Sequence, residues 1–145
     1  MAYRLRRSML RLFVLTSALA LLVAAAPGVS ASPSGALSIE KMCTPDVCTV
    51  TASSNTSLIP TGSTLTYTGP RFDPHLSSGF VLDTGAGTAL GHCTLSWATG
   101  LGHCVIGSGT GSLAGVHAVF SEWVDWGNGD FETFVFHLDG SVHID

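Results

Sequence analysis

The sequence predicts an all-β domain, an antiparallel closed or nearly closed β-barrel of about eight strands, with a β-sandwich as the alternative. Three observations carry this reading. No long stretch repeats its apolar residues with the 3.6-residue period of a helix. Short segments instead alternate apolar and polar residues, as half-buried strands do. Turn chemistry rich in Gly, Pro, Asn and Asp separates these segments at intervals of roughly ten residues.

The chain opens differently. Arg4, Arg6, Arg7 and Arg11 precede an apolar run from Leu12 through Ala26, and Val29 and Ala31 are small residues suited to signal-peptidase cleavage. This is the layout of a secretory signal, read as residues 1–31 with cleavage after Ala31. The apolar run is shorter than the ~20 residues a membrane span needs. Arg6-Arg7 also gives it the look of a twin-arginine signal, so the export route stays open. Removing 31 of the 145 residues leaves 114, enough for one domain with one core. Beyond the cleavage site only Lys41 and Arg71 oppose ten acids, a net charge of −8 with His neutral. That balance argues against nucleic acid or an anionic membrane as a partner.

Residues 32–40 read as a flexible lead-in and 41–145 as the barrel domain. Strands are expected over Val47–Ser53, Thr64–Thr68, Gly79–Asp83, Gly91–Trp97, His103–Ile106, Val116–Trp126, Phe131–Leu138 and Ser141–Ile144. Pro60-Thr61-Gly62, Gly69-Pro70, Asp83-Thr84-Gly85, Thr99-Gly100, Gly127-Asn128-Gly129 and Asp139-Gly140 supply the turns between them.

All four cysteines lie beyond the signal, at 43, 48, 93 and 104. An even count in an exported chain points to disulfides. Of the three pairings, the local one, Cys43 with Cys48 and Cys93 with Cys104, is favoured because each pair flanks a turn. Alternation puts Cys93, Leu95 and Trp97 on one face with Cys104 and Ile106, while His92 and His103 share the polar face. Adjacent strand residues point to opposite faces, so the two Gly-His-Cys copies are poor zinc ligands, and no metal site is expected. The other histidines, His75, His117, His137 and His143, read as surface residues, although His137 and His143 flank Asp139-Gly140 and would share a rim there.

Glu122 is the candidate catalytic residue. It shares strand parity with Val116, Ala118, Phe120, Val124 and Trp126, so it projects inward, where burial raises a carboxyl pKa and suits it to acid–base work. The competing reading swaps the faces and turns His117, Val119, Ser121, Trp123 and Asp125 inward. Trp97, Phe120, Trp126, Phe134 and Phe136 are the candidates to line a ligand cavity.

The segment Val105-Ile106-Gly107-Ser108-Gly109-Thr110-Gly111-Ser112-Leu113-Ala114-Gly115-Val116 resembles the glycine-rich strand connection of the allene oxide cyclase–dirigent barrel superfamily. The resemblance spans Gly91 to Phe120 and departs at Ser108, where a second consecutive glycine is usual. It implies an eight-stranded antiparallel barrel whose apolar cavity holds a hydrophobic ligand or reactive intermediate, without a cofactor. No catalytic residue is carried over from it. The expectation is therefore an exported barrel that binds a small apolar molecule, with or without cofactor-free cyclase or isomerase activity. A secreted structural or protein-interaction module is the alternative. An enzyme inhibitor presenting a rigid loop over residues 70–78 is a weaker third.

Overall fold

Alternation along each segment is the rule that builds the fold. In the computed structural model, which describes residues 34–45, 47–70 and 74–145, eight strands form: β1 (Ser34–Cys43), β2 (Val47–Ser53), β3 (Thr64–Tyr67), β4 (His75–Asp83), β5 (Thr88–Ser96), β6 (Leu101–Gly109), β7 (Val116–Asp125) and β8 (Val135–Ile144). Each pairs antiparallel with the next, and β8 returns to β1, closing an up-and-down barrel. Helical structure among the described residues is confined to two single turns, Gly111–Leu113 and Phe131–Thr133. The signal sequence expected over residues 1–31 lies outside the described residues.

The inward set is every second residue. On β4 these are Leu76, Ser78, Phe80 and Leu82, and on β7 Val116, Ala118, Phe120, Glu122 and Val124. An eight-stranded barrel is just wide enough for such side chains to fill. Leu58 and Ile59 from the β2–β3 connection and Leu113 from the β6–β7 connection are buried at one end. The other end receives the aromatic residues Trp97, Phe131 and Phe134, which pack against the core.

Both disulfides adopt the local pairing, and each joins residues directly opposite one another: Cys43 with Cys48 across β1–β2, and Cys93 with Cys104 across β5–β6. Cys93 and Cys104 are fully buried, so their bridge is part of the core.

Several elements differ from the sequence reading. Residues 34–40, read as part of a lead-in, belong to β1 and close the barrel against β8. Small residues and the charged Lys41 mask the alternation there, and the strand forms because β8 supplies its partner. The last two segments merge into a single strand, β8, because Asp139-Gly140 is not a turn, while Phe131–Thr133, expected as strand, form a helical turn before it. A Cβ at Gly140 would collide with the Val119 carbonyl oxygen, so glycine here permits a close approach of β8 to β7. Residues 75–78, part of the loop expected of an inhibitor, form the start of β4. The first part of the glycine segment is strand rather than connection: β6 runs through Gly109, with Gly107 as the extra residue of a bulge opposite Leu90 and Gly91, and a helical turn follows at Gly111–Leu113.

Each disulfide closes a short loop, so their contributions follow from loop length. Replacing Cys93 and Cys104 by Ala is expected to lower the unfolding free energy by about 3 kcal/mol through lost loop closure, and replacing Cys43 and Cys48 by about 2 kcal/mol. Urea unfolding of the two double variants measures both losses and their order.

Candidate functional site in the barrel interior

The site begins with the parity of β7. Its burial alternates from Val116 to Asp125, with Glu122 inward and buried and Trp123 outward, so the swapped-face reading does not hold. Glu122 is not the isolated carboxyl that its sequence context suggests. Lys41, the inward residue after Leu37 and Ile39 on β1, meets it with Nζ 2.9 Å from Oε1. Both side chains are sealed from solvent, at 1% and 0% exposure. The two strands are not neighbours. The pair straddles β8, where Leu138 lies beside Glu122 and Phe136 beside Lys41.

A third strand completes the cluster. Lys41 Nζ donates a hydrogen bond to the Tyr67 hydroxyl at the end of β3, at 2.8 Å. The ammonium also lies 5.3 Å from the centre of the Tyr67 ring and 5.6 Å from that of Phe136, within range of their negative faces. Burial alone would push the Lys41 pKa down. The Tyr67 oxygen and the Glu122 carboxylate, by their charge and hydrogen bonding, outweigh burial and hold it above the ordinary lysine value.

The carboxylate is less completely served. The ammonium approaches Oε1 closely, yet Oε1 has no well-aligned hydrogen bond among the described residues. Oε2 lies 3.4 Å from Cys104 Sγ, a contact and not a hydrogen bond, since a bridging disulfide sulfur has no proton to donate. The interior thus combines an ammonium and a phenol, which stabilise developing negative charge, with a carboxylate that accepts protons.

Four of the five expected cavity residues join a ring cluster at the barrel end where β5, β7 and β8 meet their β5–β6 and β7–β8 connections. Trp97 lies 6.4 Å from Trp126, 6.2 Å from Phe131 and 6.3 Å from Phe136, and Trp126 meets Phe134 edge-on at 5.0 Å. Phe136 touches both systems, linking the rings to the Lys41 ammonium. Phe120 stands apart, fully buried midway along β7 between Cys104 and Gly140. A groove of about 300 Å³ opens at the same end between β4, β5 and β6, floored by the inward residues Leu76 and Leu95. Another, of about 310 Å³, lies at the opposite end near Leu58 and Ile144. Neither is lined by Lys41, Tyr67 or Glu122.

Sequence reasoning overlooked Lys41, Tyr67 and Phe131. A usable signal existed for Lys41: it is one of two bases beyond Arg11, and it occupies the apolar parity of Leu37, Ile39 and Cys43. His137 and His143 do not share a rim. His137 stacks on Trp123 at 3.8 Å on the outer wall and reaches Glu40, whereas His143 stacks on His117.

Against this geometry, no protein-family profile matches the chain, and comparisons with curated proteins and with solved structures gave no match.

Removing one partner of a buried pair strands the other charge. Lys41→Met is expected to cost about 3–5 kcal/mol, with most of the loss recovered in Lys41→Met/Glu122→Leu, as chemical denaturation of the three proteins will show. The raised Lys41 pKa also fixes the sign of an alkaline dependence. The unfolded chain releases its proton near the ordinary value of 10.5, while the folded chain retains it. Stability conferred through Lys41 is therefore full below that pH and declines as pH rises above it. The difference in unfolding free energy between wild type and Lys41→Met, followed from neutral to alkaline pH, should narrow accordingly.

Proposed function

We propose that this protein is an exported barrel that binds a small, largely apolar molecule at its aromatic end, with the Lys41–Tyr67–Glu122 cluster as the polar floor beneath. The observation that carries this reading is the contact of Phe136 with both systems, which joins the rings of Trp97 and Phe131 to a buried ammonium. Ligand sites commonly combine apolar and aromatic walls with a few convergent polar groups, and this end of the barrel offers both. An aromatic or polyunsaturated ligand with one carbonyl or hydroxyl oxygen suits such an environment, its oxygen directed toward Lys41 and Tyr67.

Export is supported by the two disulfides, which persist in oxidising compartments, and by the Arg-rich, apolar start of the sequence. The resemblance of residues 91–120 to the allene oxide cyclase–dirigent barrels supports the same class of ligand. Cofactor-free cyclisation or isomerisation is the chemical extension of this reading, with Glu122 as the proton acceptor and Lys41 and Tyr67 opposite a developing oxyanion. Both charged groups are sealed, so such chemistry requires the ring cluster to part.

A second reading, a protein-interaction module, is favoured by one feature of the outer wall. Leu101 pairs with Trp123 and Val105 with Val119 across β6 and β7, and all four apolar side chains are exposed.

Native mass spectrometry of protein purified from its own secretion medium separates the two. The binding reading expects a co-purified small molecule that is lost in Trp97→Ala while the fold is retained. It further expects Glu122→Gln to keep the ligand and to abolish any turnover. A bare mass with both disulfides intact, together with unchanged tryptophan fluorescence on titration with apolar aromatic probes, would favour the interaction module instead.

A further inference from the structure

On the outer wall, far along β7 and β8 from the aromatic end, three side chains converge in a way that the barrel interior does not use. His117 and His143 stand directly opposite one another across the β7–β8 ladder, their rings stacked with centroids 5.0 Å apart and 17° between planes. Asp145 follows β8 and is held by its backbone, the amide donating to the Gly115 carbonyl at 3.1 Å. Its carboxylate receives both imidazoles: His117 Nε2 lies 3.2 Å from Oδ2 and His143 Nε2 lies 3.6 Å from Oδ1. One donor atom from each of the three residues falls within 4.8 Å of the others.

We propose that His117, His143 and Asp145 form a surface site for a divalent transition metal of the zinc or copper(II) class. The donor set is the first argument. Two imidazole nitrogens and one carboxylate oxygen suit these ions and are poorly matched to calcium or magnesium, which take oxygen ligands. Spacing is the second. An ion bound to N and O donors at about 2.0–2.2 Å in tetrahedral geometry separates them by roughly 3.3–3.6 Å. The two imidazole–carboxylate distances, one to each oxygen, are of that size, and with one donor atom of each residue within 4.8 Å of the others, side-chain shifts of about 1 Å bring all three onto one ion.

Preorganisation is the third argument. Two donors project from adjacent strands of a closed barrel, and the third is tethered to the β6–β7 connection, so little chain ordering accompanies binding. A metal takes the Nε2 lone pair of each neutral imidazole, whose ring proton then resides on Nδ1, and the Asp145 carboxylate already lies beside both nitrogens. All three side chains are partly exposed, which leaves the remaining coordination positions to water. The excess of acids beyond residue 31, ten against Lys41 and Arg71, favours approach of a cation.

Isothermal titration of the folded, disulfide-bonded protein with Zn²⁺ tests the site, with thermal unfolding as a second readout. Wild type is expected to bind one Zn²⁺ per chain and to show a higher Tm when it is present. His117→Ala/His143→Ala is expected to weaken the saturable binding at least ten-fold and to remove the Tm shift, and Asp145→Asn to weaken it to a smaller extent. The control His92→Ala/His103→Ala, which alters two other outward histidines, is expected to bind as wild type does. Equal binding by wild type and His117→Ala/His143→Ala would overturn the proposal, as would a wild-type titration with no saturable site. Loss of binding in the His92/His103 control alone would place the metal elsewhere and overturn it equally.

Discussion

Backbone pairing between β1 and β8, running from Ser34 opposite His143 to Met42 opposite Val135, turns a meander into a closed barrel, and the other features depend on that closure. An eight-strand meander left open would expose two edges, each a row of unpaired N–H and C=O groups prone to pair with another chain. Closure removes both edges and creates an inside. Only then does alternation along β1 carry Lys41 into an apolar interior, and only then does a residue from β1 face one from β7 with β8 between them. The two bulges, at Thr51 opposite Glu40 and Lys41 and at Gly107 opposite Leu90 and Gly91, fall within this ring of strands and let it curve.

The Lys41–Glu122 pair has an energetic logic of its own. Taking each charge out of water costs several kcal/mol, and the mutual attraction of an ion pair often fails to repay it against well-packed apolar replacements. Here the ammonium gains a phenolic hydrogen bond and two aromatic faces as well, which offsets part of its desolvation. The carboxylate gains less, with one oxygen against a disulfide sulfur. A polar cluster served so unevenly contributes little net stability. Under the proposed binding function, its place beneath the aromatic end bears on recognition more than on why the barrel holds together.

The two disulfides divide between the architecture and its rim. Cys43–Cys48 closes the tight β1–β2 turn, next to the strand that seals the barrel. Cys93–Cys104 sits within the wall of the core, and its sulfur forms part of the surface against which Glu122 packs. Covalent cross-linking and the charged interior thus meet at one point. This fits a domain whose core is small for its surface and which gains from being stapled.

Much of the fold was legible in local sequence because its causes are local. Strand parity is a property of a few consecutive residues, so the shared face of Cys93 and Cys104 followed from alternation, and Glu122 was placed on one of two alternating faces of β7 whose inward member the structure then decided. Turns announced by Gly and Asn were read well, except at Asp139-Gly140, where the glycine answers a close approach of β8 to Val119 and not a reversal of the chain. The first strand was hidden because Ser34, Gly35 and Ala36 have weak strand character and draw their order from β8, some hundred residues away in the chain. By itself, then, the sequence determined an all-β chain, the alternation that sorts each strand into two faces, and the favoured disulfide pairing. Tertiary structure alone decided that the Glu122 carboxylate meets Lys41 and Tyr67, and that His117, His143 and Asp145 converge. Which side chains share a space depends on register and closure across strands distant in sequence, and no local pattern encodes that.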